Sequence, residues 1–143
     1  MTFVLQIIFS IILGFLIGLE REKQGKSVGI RTVSLITLGS TLFTIMSPDT
    51  FGADNSRIIA QIVSGVSFIC IGVIVKEGCS VKGLTTSMTL WCSAAIGALC
   101  GLSMYFEAFV STVAVISINL IFRYFKSVEN DEGKICNGDS GMA

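Results

Sequence analysis

Apolar residues along this chain fall into long runs separated by short polar clusters. Five runs emerge, at about residues 3–19, 32–46, 58–75, 84–102 and 108–125. None shows the strict alternation of a half-buried strand, and each is long enough for a helix that is apolar on most sides. At about 1.5 Å per residue, a run of about 17 residues spans about 26 Å, close to the hydrocarbon thickness of a bilayer. The second run is the shortest and is expected to begin near Gly29, with Arg31 snorkelling to the interface. The only proline, Pro48, lies in a turn at 47–55, with Asp49, Gly52, Asp54 and Asn55. The pattern predicts an all-α integral membrane protein, a bundle of about five transmembrane helices.

The polar clusters between the runs predict its orientation. Arg21, Lys23, Lys26 and Arg31 precede the second helix, Lys76 and Lys82 lie between the third and fourth, and Arg123, Lys126 and Lys134 follow the fifth. The opposite side holds Arg57 beside Asp49, Asp54 and Glu107. Lys and Arg are retained on the cytoplasmic side, so the N-terminus is expected outside and the C-terminus inside. The first run is not read as a secretory signal, because its positive charges follow the apolar segment and do not precede it. After Lys126 the composition turns to Gly, Asn, Asp, Glu and Ser, with little apolar surface to offset the cost of ordering. Residues 1–126 are therefore expected to form the membrane domain, and 127–143 a disordered cytoplasmic tail.

Composition adds mainly exclusions. Hydrophobic residues make up 52% of the chain and charged ones 14%, with a mean hydropathy of +0.80, outside the range of ordinary soluble domains. The formal net charge is zero and no dense basic run occurs, which argues against a nucleic-acid partner. The chain has no histidine, hence neither the commonest general base nor the commonest zinc ligand. Its five cysteines form no C-x-x-C pair or even framework, and they read as thiols without chemistry. No helix carries a carboxylate near its middle, and no nucleophile–base pair, phosphate loop or metal motif is present. The expectation is a protein that is not an enzyme and uses no cofactor or metal.

Small and polar residues inside the runs supply the candidate sites. Ser10, Gly14 and Gly18 recur every fourth position in the first run, and Ser93, Gly97 and Gly101 do so in the fourth. Gly65 and Gly72 share a stripe with Gln61 and Phe68 in the third. Such spacing lets helix backbones approach closely, so these glycines are expected at helix contacts, within one chain or in a homo-oligomer. Gln6 and Asn119 read as makers of interhelical hydrogen bonds. Arg57 and Gln61, one turn apart, form a second polar site. For Glu20, Arg21, Arg31, Arg57 and Gln61, snorkelling topology markers and functional groups both remain open readings at this point.

Three ordered segments then carry a family resemblance. Gly14-Phe-Leu-Ile-Gly-Leu-Glu-Arg-Glu with Lys26-Ser-Val-Gly-Ile-Arg-Thr32, Arg57-Ile-Ile-Ala-Gln-Ile-Val-Ser-Gly65, and Lys82-Gly-Leu-Thr-Thr86 with Leu90-Trp91, Ala94-Ala-Ile-Gly97 and Gly101 resemble the signatures of the MgtC/SapB family of bacterial inner-membrane proteins. Two departures stand out. Ser67-Phe-Ile-Cys-Ile-Gly72 replaces the family's Gly-Phe-Leu-Gly-Ala-Gly pattern, and a tail stands where many members carry a soluble cytoplasmic domain. The resemblance implies a multi-pass regulator linked to growth at low magnesium and survival in host cells, acting on the F-type ATP synthase or another membrane ATPase. A small magnesium transporter or channel component is the alternative it implies. Position and signatures together suggest a polar layer of Glu20, Arg21, Arg31, Lys82, Thr85 and Thr86 at the cytoplasmic helix ends.

Overall fold

The structure is a computed structural model that describes residues 2–26, 28–47, 55–77 and 80–132. It contains five helices: α1 (Thr2–Lys23), α2 (Ile30–Ile45), α3 (Asn55–Ile71), α4 (Leu84–Gly101) and α5 (Tyr105–Glu132). The first and fourth are long and apolar enough to cross a membrane, and 30–45, 57–71 and 105–121 are shorter apolar helices. The expected turn around Pro48, Cys79 and residues 133–143 lie outside the described residues.

Local chemistry explains the helix ends. Gly25 sits at φ +63° after α1, and the amides of Gly25 and Lys26 bond back to Glu22 O at 3.0 Å and Arg21 O at 3.2 Å. That pair of bonds is a Schellman cap, in which a left-handed glycine closes the last turn. The same bonds close α4, where the amides of Ser103 and Met104 reach Cys100 O at 3.1 Å and Leu99 O at 3.0 Å. Gly83 begins α4 at φ +87°, and a Cβ there would lie 2.2 Å from Val73 O, so conformation and space both demand glycine. Between α3 and α4 a short antiparallel hairpin, β1 (Val75–Glu77) and β2 (Ser80–Lys82), pairs Lys76 with Val81. The apolar pattern did not announce this hairpin, because each strand has only three residues.

Close approaches set the helix directions. Gly14 lies against Ser34 and Thr37, and Gly18 against Ile30, so α1 and α2 run antiparallel. Gly97 lies against Thr37 and Ser40, and Gly101 against Thr41 and Thr44, so α2 and α4 run parallel. Cys70 Sγ lies 3.1 Å from Ser87 O, placing the end of α3 beside the start of α4. Phe9 and Tyr105 meet edge to face with centroids 5.3 Å apart, placing the start of α5 beside the start of α1. Helix ends carrying Arg21, Arg31, Lys76 and Lys82 therefore gather at one end of the bundle. Those carrying Arg57 and Glu107 gather at the other.

Leu13, Ile17, Val33, Leu90, Ile96 and Cys100 form the centre of the core. Threaded through it is a series of buried hydroxyls, Ser10, Thr37, Thr41, Thr44, Thr89 and Ser93. Most bond to the carbonyl one turn back in their own helix, as Thr37 does to Val33 O at 2.9 Å and Ser93 to Thr89 O at 2.8 Å. Thr41 Oγ1 also lies 2.8 Å from Gly97 O, tying α2 to α4. Hydroxyls suit this seam because they are small and satisfy themselves on their own backbone without water.

Helix α5 runs through Glu132, beyond Lys126. Its polar last turns follow directly from an unbroken apolar helix, with no Gly or Pro before Gly133 to stop it. Gly65 and Gly72 are not at helix–helix contacts: nothing lies within 4 Å of a Cβ at Gly65, and Gly72 meets only Ile69 O of its own segment at 3.4 Å. Helix α3 turns Val66 and Cys70 inward, which leaves the Gln61–Gly65 stripe on an open side.

Candidate functional site

Arg21, in the last turn of α1, is the largest fully buried side chain among the described residues, at 1% exposure. Its Nη2 donates to Thr89 Oγ1 on α4, and its Nε lies 3.4 Å from Glu20 Oε2. Gln24 Nε2 donates to Glu20 Oε1 from one turn further along. Burying a charge is costly unless it is paired and hydrogen-bonded; Arg21 is paired with Glu20 and bonded through Nη2, while its Nε makes no hydrogen bond among the described residues. The C-terminal end of α1 adds a favourable local field for a cation. Glu22 faces the start of α2, where its Oε2 accepts from the Ile30 amide at 3.4 Å.

The polar layer expected from the sequence is thus present only in part. Glu20 and Arg21 meet, and Thr86 is buried on the same end of α4. Thr85 and Lys82 are exposed. Arg31 is also exposed and makes no ion pair with another described residue, so the expected Glu20–Arg31 tie between α1 and α2 does not form. The reason is rotational: α2 turns Val33 and Thr37 to the core, and a residue two positions before Val33 lies on the opposite side. The groups that complete the layer are Thr89 and Gln24. Thr89 was hidden among many hydroxyls, although its i+4 relation to Thr85 is visible in the sequence.

At the opposite end, Gln6 Nε2 donates to Gly101 O and Ser103 Oγ, both at 2.9 Å, joining α1 to the end of α4. Asn119 Nδ2 is buried and has no hydrogen-bond partner among the described residues. Arg57 and Gln61 are both exposed on α3. Cys70, Cys92 and Cys100 are free thiols. Among the described residues, no three His, Cys, Asp or Glu side chains gather into a metal-holding group.

An all-helical bundle of apolar helices, held by glycine contacts and a buried arginine, defines the class of protein. The model of the MgtC family matches residues 7–128, and the chain belongs to that family. Protein MgtC of Salmonella typhimurium is 41% identical over 121 residues, which cover 85% of this chain and 52% of that protein. Protein MgtC of Brucella abortus is 44% identical over 113 residues, 78% of this chain and 48% of that protein. An uncharacterized protein of Synechocystis sp. is 41% identical over 129 residues, 90% of this chain and 55% of that protein. The chain spans about half the length of these curated relatives. No solved structure matches it.

Proposed function

We propose that this chain is a non-enzymatic membrane regulator that modulates a membrane ATPase, the F-type ATP synthase, and supports growth at low magnesium or survival in host cells. This is the role that resemblance to MgtC/SapB proteins implies. The observation that carries it is the closure of the α1–α2–α4 seam. A Cβ at Gly97 would stand 2.2 Å from Thr37 O, and one at Gly18 would stand 2.6 Å from Ile30 Cα. Backbones in contact leave no room between these helices for a hydrated ion. Most of the buried hydroxyls beside them are taken up by carbonyls of their own helices, Ser34 Oγ being an exception. A protein with such a centre acts through its outer helix faces. Tagged full-length chain purified from its native membrane in mild detergent should bring ATP synthase subunits with it. Recovery of the chain without them, under conditions that keep the synthase intact, would contradict the proposal.

We infer in addition that the five helices span the bacterial inner membrane with the N-terminus outside. Support comes from the gathering of basic helix ends at one end of the bundle, which fits retention of Lys and Arg on the cytoplasmic side. The shorter helices can be accommodated by snorkelling residues such as Arg31 and by local thinning of the bilayer. In intact cells an impermeant thiol reagent should label an Asp54→Cys variant and spare Cys79. The reverse pattern would overturn the orientation.

A further inference from the structure

Helices α2 and α3 leave a groove of about 780 Å³ between them. Gly39 on one wall and Gly65 on the other keep it wide, since a Cβ at either position would meet nothing within 4 Å. The lining is almost wholly apolar, with Gln61 standing on the α3 wall. One turn before Gln61, at the end of the bundle opposite Arg21, Arg57 is exposed and pairs with no described acid. Water does not fill an apolar groove inside a bilayer, so an apolar molecule does.

We propose that this groove binds one glycerophospholipid, with its phosphate on Arg57, its ester carbonyl at Gln61 and an acyl chain between Gly39 and Gly65. The chemistry along α3 follows the order of such a lipid: a cation, then an amide that donates hydrogen bonds, then hydrocarbon. The dimensions agree. Arg57 and Gln61 are about 6 Å apart along the helix axis, and the polar zone of one leaflet is about 5–8 Å deep. From Gln61 to Ile69 the groove runs about 12 Å, most of the hydrocarbon depth of one leaflet. Arginine suits a phosphate through its planar fork of donors. A second copy of the chain fits less well, because a two-fold pairing through α3 would set Arg57 against its own equivalent.

The test uses full-length chain, stripped of lipid in detergent and titrated with phosphatidylglycerol or with diacylglycerol of the same acyl chains. Bound lipid is counted by native mass spectrometry and the melting temperature followed in parallel. One phosphatidylglycerol should bind per chain. Arg57→Gln should weaken it about tenfold, the effect of losing one charge-assisted hydrogen bond, and leave diacylglycerol unchanged. Gly65→Leu and Gly39→Leu should remove both lipids without lowering the melting temperature, since their side chains enter open space. Lys76→Gln, a cation at the other end of the bundle, should have no effect. Equal binding of the two lipids, indifferent to Arg57→Gln, would reduce the site to annular lipid and overturn the proposal. So would a Gly65→Leu variant that keeps its lipid but changes oligomeric state, which would assign the groove to a second copy.

Discussion

Replacing Gly97 by leucine is expected to abolish the folded bundle, and even Gly97→Ala should destabilise it by about 1–3 kcal/mol, the usual cost of overpacking a tight interior. The first added carbon would stand 2.2 Å from Thr37 O and 2.9 Å from Ser40 Cβ, so α2 and α4 must move apart. Separation would also stretch the 2.8 Å contact between Thr41 Oγ1 and Gly97 O. Gly65→Ala is the matched control, because it adds the same carbon to a helix where nothing lies within 4 Å. It should leave stability unchanged or raise it by about 0.5–1 kcal/mol, the advantage of Ala over Gly in a helix. Reversible unfolding in mild detergent reads both. Equal effects of the two substitutions would show that the α2–α4 contact is not what holds the bundle.

The second large effect is expected at Arg21. Arg21→Met leaves Glu20 buried without its cation, and removing one partner of a buried pair costs about 3–5 kcal/mol. Gln24 continues to donate to Glu20, which places the expected loss toward the lower end of that range. Adding Glu20→Gln should restore much of the lost stability, because the stranded charge is removed with it. Arg31→Gln should change stability by less than about 0.5 kcal/mol, as is usual for an exposed site with no fixed partner. A double-mutant cycle on Glu20 and Arg21, read by the same unfolding assay, checks the coupling. Additive losses would mean that the two residues do not support each other.

The helices were legible in the chain because apolar runs bounded by charge leave few other solutions. Glycine spacing alone did not say which stripes make contact. Gly14, Gly18, Gly97 and Gly101 lie at backbone contacts, whereas Gly65 on α3 and Gly72 just after it carry a similar pattern and touch no neighbouring helix. The difference lies in how α3 is rotated, which depends on Val66 and Cys70 docking elsewhere and not on the stripe itself. Arg31 illustrates the same limit. Its position at the end of the bundle could be read from the sequence, but one helical rotation decides whether it faces Glu20 or the outside. Gly25 carried a usable signal that the apolar pattern passed over, since glycine after a basic last turn marks a helix stop.

Co-reconstitution of the full-length chain with purified F-type ATP synthase in liposomes tests the central claim most directly. ATP-driven proton uptake is followed by a fluorescent dye while the ratio of chain to synthase is raised, at fixed magnesium. Uptake should fall in a saturable way with that ratio, while liposomes containing the chain alone take up no magnesium. Uptake that stays constant at every ratio, together with magnesium entry through the chain alone, would contradict the account and make the protein a cation pathway.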